Sequence, residues 1–171
     1  MKFRLFSFLT LAFAFLFSGC SGYKIGPIQP TYMAGIESLA VPTFRNETLE
    51  PRLEMLVTNT VIQQLQNDGT YKVKREEDAD AVLEGTIDKI ERRRARGVRG
   101  NVLLTREFDI IVRIRYRIVR PSTGEILADR TTDGRTSFFI NQDLQQDERQ
   151  AIPLAAEEAA VRLVSEISEG W

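Results

Sequence analysis

The sequence predicts an α+β domain, with two helices packed on one face of a mixed, mainly antiparallel sheet of about four to five strands. Three observations carry this reading. Residues 106–120 alternate, with Phe108, Ile110, Val112, Ile114, Tyr116 and Ile118 on one side and a largely polar set that includes Asp109, Arg113, Arg115 and Arg117 on the other. Leu53, Leu56, Val57, Thr60, Val61, Gln64 and Leu65 are spaced three and four apart, as on one helix face. Ile152, Ala155, Ala156, Ala159, Ala160, Leu163, Val164 and Ile167 trace a second stripe, whose alanines would let a C-terminal helix approach the sheet closely.

In chain order, residues 36–41 read as a short strand that Pro42 ends, because proline has no N–H to give a ladder. Arg45-Asn46-Glu47-Thr48 leads into the first helix, and Gly69 stops that helix after Asn67-Asp68. The sequon Asn46-Glu47-Thr48 is read as a turn and helix entrance, not as a glycosylation site. Residues 71–75 look like a strand, and Asp78-Ala79-Asp80 turns the chain into a longer one over 81–94. Pro121-Ser122-Thr123-Gly124 is a turn between the strand at 106–120 and another at 125–135. Pro153 is placed in the first turn of the last helix, or at a break after a short preceding turn.

A single register is expected for the long hairpin, with Gly100-Asn101 as its two-residue turn. Arg92 then faces Asp109, Asp88 faces Arg113 and Glu84 faces Arg117, while Ile87 meets Ile114 and Leu83 meets Ile118. In this arrangement Arg92, Arg113 and Arg117 have structural partners.

Ahead of the domain, Lys2 and Arg4 precede an apolar run over 5–17 and then Ser18-Gly19-Cys20. The run is too short for a bilayer span of about 20 residues, and it fits a signal-peptide core before a small-residue cleavage site. Residues 1–19 are therefore expected to be removed, and Cys20, the sole cysteine, to become a lipidated N-terminus. Phe17 stands where a lipobox usually has an aliphatic residue. Ser21 follows the cysteine, and the absence of aspartate there resembles an outer-membrane address. Residues 20–35, with Gly22, Gly26, Pro27, Pro30 and Gly35, suit a tether, and 36–171 a single domain.

Loss of Lys2 and Arg4 leaves 21 basic against 24 acidic residues, so no bulk basicity argues for nucleic acid. The chain has no histidine, which removes His-based zinc sites, Ser-His and Cys-His nucleophile pairs and the commonest general base. No Gly-rich phosphate loop, nucleophile elbow or paired-carboxylate pattern stands out. The reading is a non-enzyme without a cofactor.

The stretch from Ser38 to Glu54, with Val41-Pro42-Thr43-Phe44-Arg45-Asn46-Glu47-Thr48 at its centre, and the stretch Ala79-Asp80-Ala81-Val82-Leu83-Glu84-Gly85 resemble lipopolysaccharide-assembly lipoproteins of the LptE type. Cys20-Ser21-Gly22-Tyr23 with Gly26 and Tyr71-Lys72-Val73 are similar too. The resemblance implies an outer-membrane lipoprotein, lipid-anchored on the periplasmic side or within a barrel lumen, that partners an LptD-like barrel and contacts lipopolysaccharide. The rival resemblance is to exported lipoproteins that activate peptidoglycan synthases or build secretion pores, although about fifteen residues of tether is short for an arm across the periplasm.

Arg92, Arg93, Arg94, Arg96 and Arg99, with Arg106 beyond, form the one dense like-charge patch. Guanidinium forks suit the phosphates of lipid A, so Arg94, Arg96 and Arg99, and after them Arg93 and Arg106, are the expected lipopolysaccharide contacts. The plainer alternative is a solvated hairpin end whose arginines blunt a sheet edge, or one resting on anionic headgroups, and contact with the barrel is a further one.

Overall fold

The structure is a computed structural model that describes residues 29–94, 107–139 and 144–170. Its strands are β1 (Ser38–Ala40), β2 (Arg45–Asn46), β3 (Lys72–Val73), β4 (Ala81–Arg94), β5 (Glu107–Arg120) and β6 (Glu125–Phe139), with helices α1 (Leu53–Asp68) and α2 (Leu144–Glu169). The sheet order is β3-β1-β4-β5-β6, and β2 also lies on β4. β1, β2 and β3 pair in parallel, whereas β4, β5 and β6 form an antiparallel meander. The mixed α+β architecture is as expected, with one strand more. β2 spans only two residues, too few to show a period.

Both apolar stripes face the sheet. Leu53, Val57, Val61 and Leu65 of α1 are buried, as is every residue of the second stripe from Ile152 to Ile167. They meet Leu83 and Ile87 of β4 and the even-numbered positions from Ile110 to Ile118 of β5. Gly69 closes α1 with φ 74°, and its N–H donates to the Leu65 carbonyl at 3.0 Å. Small residues set how near α2 comes. A Cβ on Gly134 of β6 would overlap backbone atoms of Ala155 and Ala159.

The helix ends are tied by tyrosines. Tyr71 Oη donates to the Ile167 carbonyl at 2.8 Å, Tyr32 Oη to the Glu166 carbonyl at 3.1 Å, and Tyr116 Oη to the Glu166 carboxylate at 2.9 Å. Two of these bonds go to backbone carbonyls in the last turn of α2, where the Glu166 carbonyl also accepts from Gly170 N at 3.0 Å. The Arg130 guanidinium stacks 4.6 Å over the Tyr32 ring. Residues 31–33, expected as tether, instead form a 3-10 turn that puts Met33 in the core.

Two further expectations change. Pro153 lies inside α2, nine residues after its start, and not in its first turn. The long hairpin has two registers in place of one. Leu83 opposes Ile118, Glu84 opposes Arg117 and Ile87 opposes Ile114, as expected, but the pairing then shifts at Asp88. Beyond this bulge Lys89 opposes Arg113, Arg92 opposes Ile110 and Arg93 opposes Asp109. The expected pairs Arg92 with Asp109 and Asp88 with Arg113 are therefore not formed. The proposed turn at Gly100-Asn101 lies outside the described residues.

Two predictions follow from this packing. Gly134→Ala should lower stability by about 1–3 kcal/mol, the usual cost of overpacking, seen as a lower urea midpoint at unchanged slope. Asp80 Oδ2 accepts hydrogen bonds from Ser38 Oγ (2.7 Å), Ser38 N (2.9 Å) and Glu37 N (3.1 Å), and these bonds, that of the Ser38 hydroxyl foremost, lower its pKa. A depressed carboxylate stabilises the fold fully above its unfolded pKa of about 3.9, and that contribution is lost as pH falls through the folded value. Asp80→Asn should therefore be less stable at neutral pH and lose less stability than the parent on acidification below about pH 4, measured by urea melts across pH.

Candidate functional site

The two sequence signatures form one structural unit. The Phe44 ring packs over Gly85, where a Cβ would overlap it, so the first motif rests on the second. Phe44 N donates to Thr58 Oγ1 at 3.0 Å, and Thr58 in turn donates to the Glu54 carbonyl at 2.6 Å. Asn46 Oδ1 accepts from Thr48 N (3.0 Å) and Thr48 Oγ1 (2.7 Å), while its amide donates to Glu50 O (2.7 Å) and Glu54 Oε2 (2.9 Å). The sequon asparagine is thus spent on the entrance to α1. Ser38 and Asp80 join the starts of β1 and β4 in the same way. These positions hold the fold together and leave ligand chemistry to other residues.

The sheet face away from the helices carries charge. Arg113 makes a bidentate pair with Asp133 at 2.7 and 2.8 Å, and the hydrogen bonding it donates to Asp133 raises the pKa of the already permanent cation. Arg117 reaches Asp129 at 3.3 Å, and Arg115 lies 2.8 Å from Glu47 and 3.2 Å from Asp88. Arg113 and Arg117 have structural partners, as expected, though both ion pairs run to β6, to Asp133 and Asp129, where Asp88 and Glu84 of β4 were anticipated. Exposed pairs of this kind are worth about 0.2–1 kcal/mol each, so they fix facing more than stability. An open depression of about 630 Å³ on this face is lined by Arg45, Glu47, Glu84, Arg115, Arg117 and Asp129, a mixture without excess positive charge.

The far end of β4 differs. Cross-strand partners share a face, so after the bulge Arg92 and Arg94 lie with Ile110 and Phe108 on the helix-bearing side, and Arg93 with Asp109 on the open side. Arg93 bonds to Glu91 at 2.7 Å, and Glu91, hydrogen-bonded by Lys89 and then by Arg93, has its pKa pulled down to about 2. Arg92 donates to Glu148 of α2 at 2.8 Å and lies 5.9 Å from the centroid of Phe108. Phe108 and Phe138 are neighbours, with centroids 6.0 Å apart. Arg94 is exposed and has no ion-pair partner among the described residues.

The single register would set Arg94 against Glu107; it is the bulge that moves Arg94 opposite Phe108 and Arg93 opposite Asp109. Arg96, Arg99, Arg106 and Cys20 lie outside the described residues. Glu148 and Phe108 were missed as parts of this end. No sequence signal joins Glu148 to Arg92, whereas Phe108 would have emerged from a register that allowed the bulge.

A family model described as LptE, lipopolysaccharide-assembly, matches residues 36–167. The chain belongs to the LptE family. Membership makes it a lipopolysaccharide-assembly lipoprotein of a non-enzymatic family. No curated protein matches the sequence. Among solved structures it is similar to the hypothetical protein CT253 from Chlamydia trachomatis, with TM-score 0.56 and 10% identity over 80% of this chain and 97% of that one. It is also similar to a minor lipoprotein from Acinetobacter baumannii, with TM-score 0.52 and 17% identity over 79% and 94% of the two chains. A PelC dodecamer from Paraburkholderia phytofirmans has TM-score 0.52 and 17% identity over 84% and 95%. At such identities these likenesses show a shared fold alone.

Proposed function

We propose that this LptE protein is anchored in the outer membrane through acylated Cys20, partners an LptD-like barrel, and contacts lipopolysaccharide in transit through the arginine end of its long hairpin. The family match over 36–167 carries the reading. The division of the arginines supports it. Those on the open face are balanced by Glu47, Asp88, Asp129 and Asp133, while the end of β4 concentrates Arg94, next to Arg96 and Arg99 in sequence, where no acid answers it among the described residues. Phosphates of lipid A would meet guanidinium forks there, beside the aromatic pair Phe108 and Phe138. Residues 1–19 act as the signal peptide, and the domain needs no cofactor for this work.

The tagged protein pulled from detergent-solubilised outer membrane should bring an LptD-like barrel with it, and Cys20→Ala should leave the membrane fraction. Recovery of a peptidoglycan synthase in place of the barrel would overturn the partnership. Reversing Arg94, Arg96 and Arg99 to glutamate should weaken lipopolysaccharide binding at least tenfold with the circular dichroism spectrum unchanged, since three cations are replaced by anions. Undiminished binding would return the cluster to a solvated surface.

A further inference from the structure

Arg92 stands two residues from Arg94 on the same face of β4, about 7 Å along the strand. Among the described residues it is the cation best placed to share an anion with Arg94, yet it already holds an internal anion, the Glu148 carboxylate, at 2.8 Å. Glu148 lies on α2 five residues before Pro153. Proline has no N–H for the Arg149 carbonyl, so the helix ladder is interrupted where the 144–152 section joins the rest. Ala151 and Ile152 are buried and hold the end of that section to the core, while one turn earlier Glu148 reaches out to the arginine end.

Resting on the lipopolysaccharide reading above, we infer that Glu148 is a specificity-determining gate, an internal carboxylate that occupies Arg92 until a phosphate-bearing glycolipid displaces it and adds Arg92 to Arg94. The exchange discriminates by charge. A ligand with one carboxylate only replaces like with like at Arg92. A phosphate brings up to two charges and three acceptor oxygens, and it meets Arg94 at the same time. The released Glu148 returns to water, where a carboxylate is well solvated. Arg92 thus keeps its structural partner in the empty protein and changes it on loading.

Titration of the full mature chain with purified lipopolysaccharide tests this. Glu148→Gln, which keeps the shape and removes the charge, should bind about two- to fivefold tighter, the range that an exposed ion pair spans in an equilibrium constant. The gain should vanish when Arg92→Gln is added, and it should be absent with dephosphorylated lipid. Amide exchange across 144–152 should quicken when lipopolysaccharide binds the parent protein. If reversal of Arg94 weakens binding but Glu148→Gln leaves it unchanged, the gate is overturned and the proposed function stands. Binding that neither change moves overturns both, and a gain that persists without Arg92 overturns the gate.

Discussion

The extra residue that Asp88 inserts into β4 sets the direction of every side chain beyond it. A strand has a side-chain period of two, so one inserted residue exchanges its faces. Before the bulge the odd positions Leu83, Gly85 and Ile87 face the helices, and after it the even positions Ile90, Arg92 and Arg94 do. A strand without the bulge would put Arg93 against the core side and send Arg92 and Arg94 to the open face with the other arginines. Asp88 itself leaves the ladder and places its carboxylate beside Arg115, where it joins Glu47. The bulge therefore separates a balanced charged face from an arginine end that shares its side with Phe108 and α2.

That separation is useful only on a rigid sheet, and the rigidity comes from close approach. The Phe44 ring over Gly85 fixes the β2 side of β4, and Ala155 and Ala159 against Gly134 fix α2 on β6. At both contacts a glycine accepts a group that any side chain would exclude. The consequence is specific. α2 is held firmly from Ala155 onward, and the part ahead of Pro153 is left to Ala151, Ile152 and contacts such as that of Glu148 with Arg92.

Most of the fold was legible because it follows from periodicity. The buried stripe of α2 was read residue by residue, Gly69 was read as a stop, and half of the hairpin register came from matching Ile87 to Ile114 and Glu84 to Arg117. The other half failed for a physical reason. In the sequence Asp88 with Arg113 and Arg92 with Asp109 look like good opposite-charge pairs, but exposed pairs are too weak to forbid a bulge. Arg113 finds a better bidentate partner in Asp133 across the other ladder. Long-range ties such as Tyr116 to Glu166 and Arg92 to Glu148 link residues with no local pattern, so nothing in the chain's periodicity announces them.

The position of the arginine end also bears on which anion it meets. The first described residues lie against the last turn of α2, with Tyr32 bonded to the Glu166 carbonyl, which is the end of the domain where β4 begins. Arg94 closes the opposite end of that 14-residue strand, roughly 40 Å away at about 3.3 Å per residue. With an anchor at Cys20, the chain from there to Gln29 can extend at most about 32 Å, so it cannot fold back along the strand to bring its own membrane to Arg94 while the domain stands upright. Headgroups of the anchoring leaflet could reach the arginines only if the domain lay flat. An upright domain would present Arg94 to whatever arrives away from the anchor, so the proposed contact with lipid in transit and a resting contact with the anchoring membrane call for different orientations of the same domain.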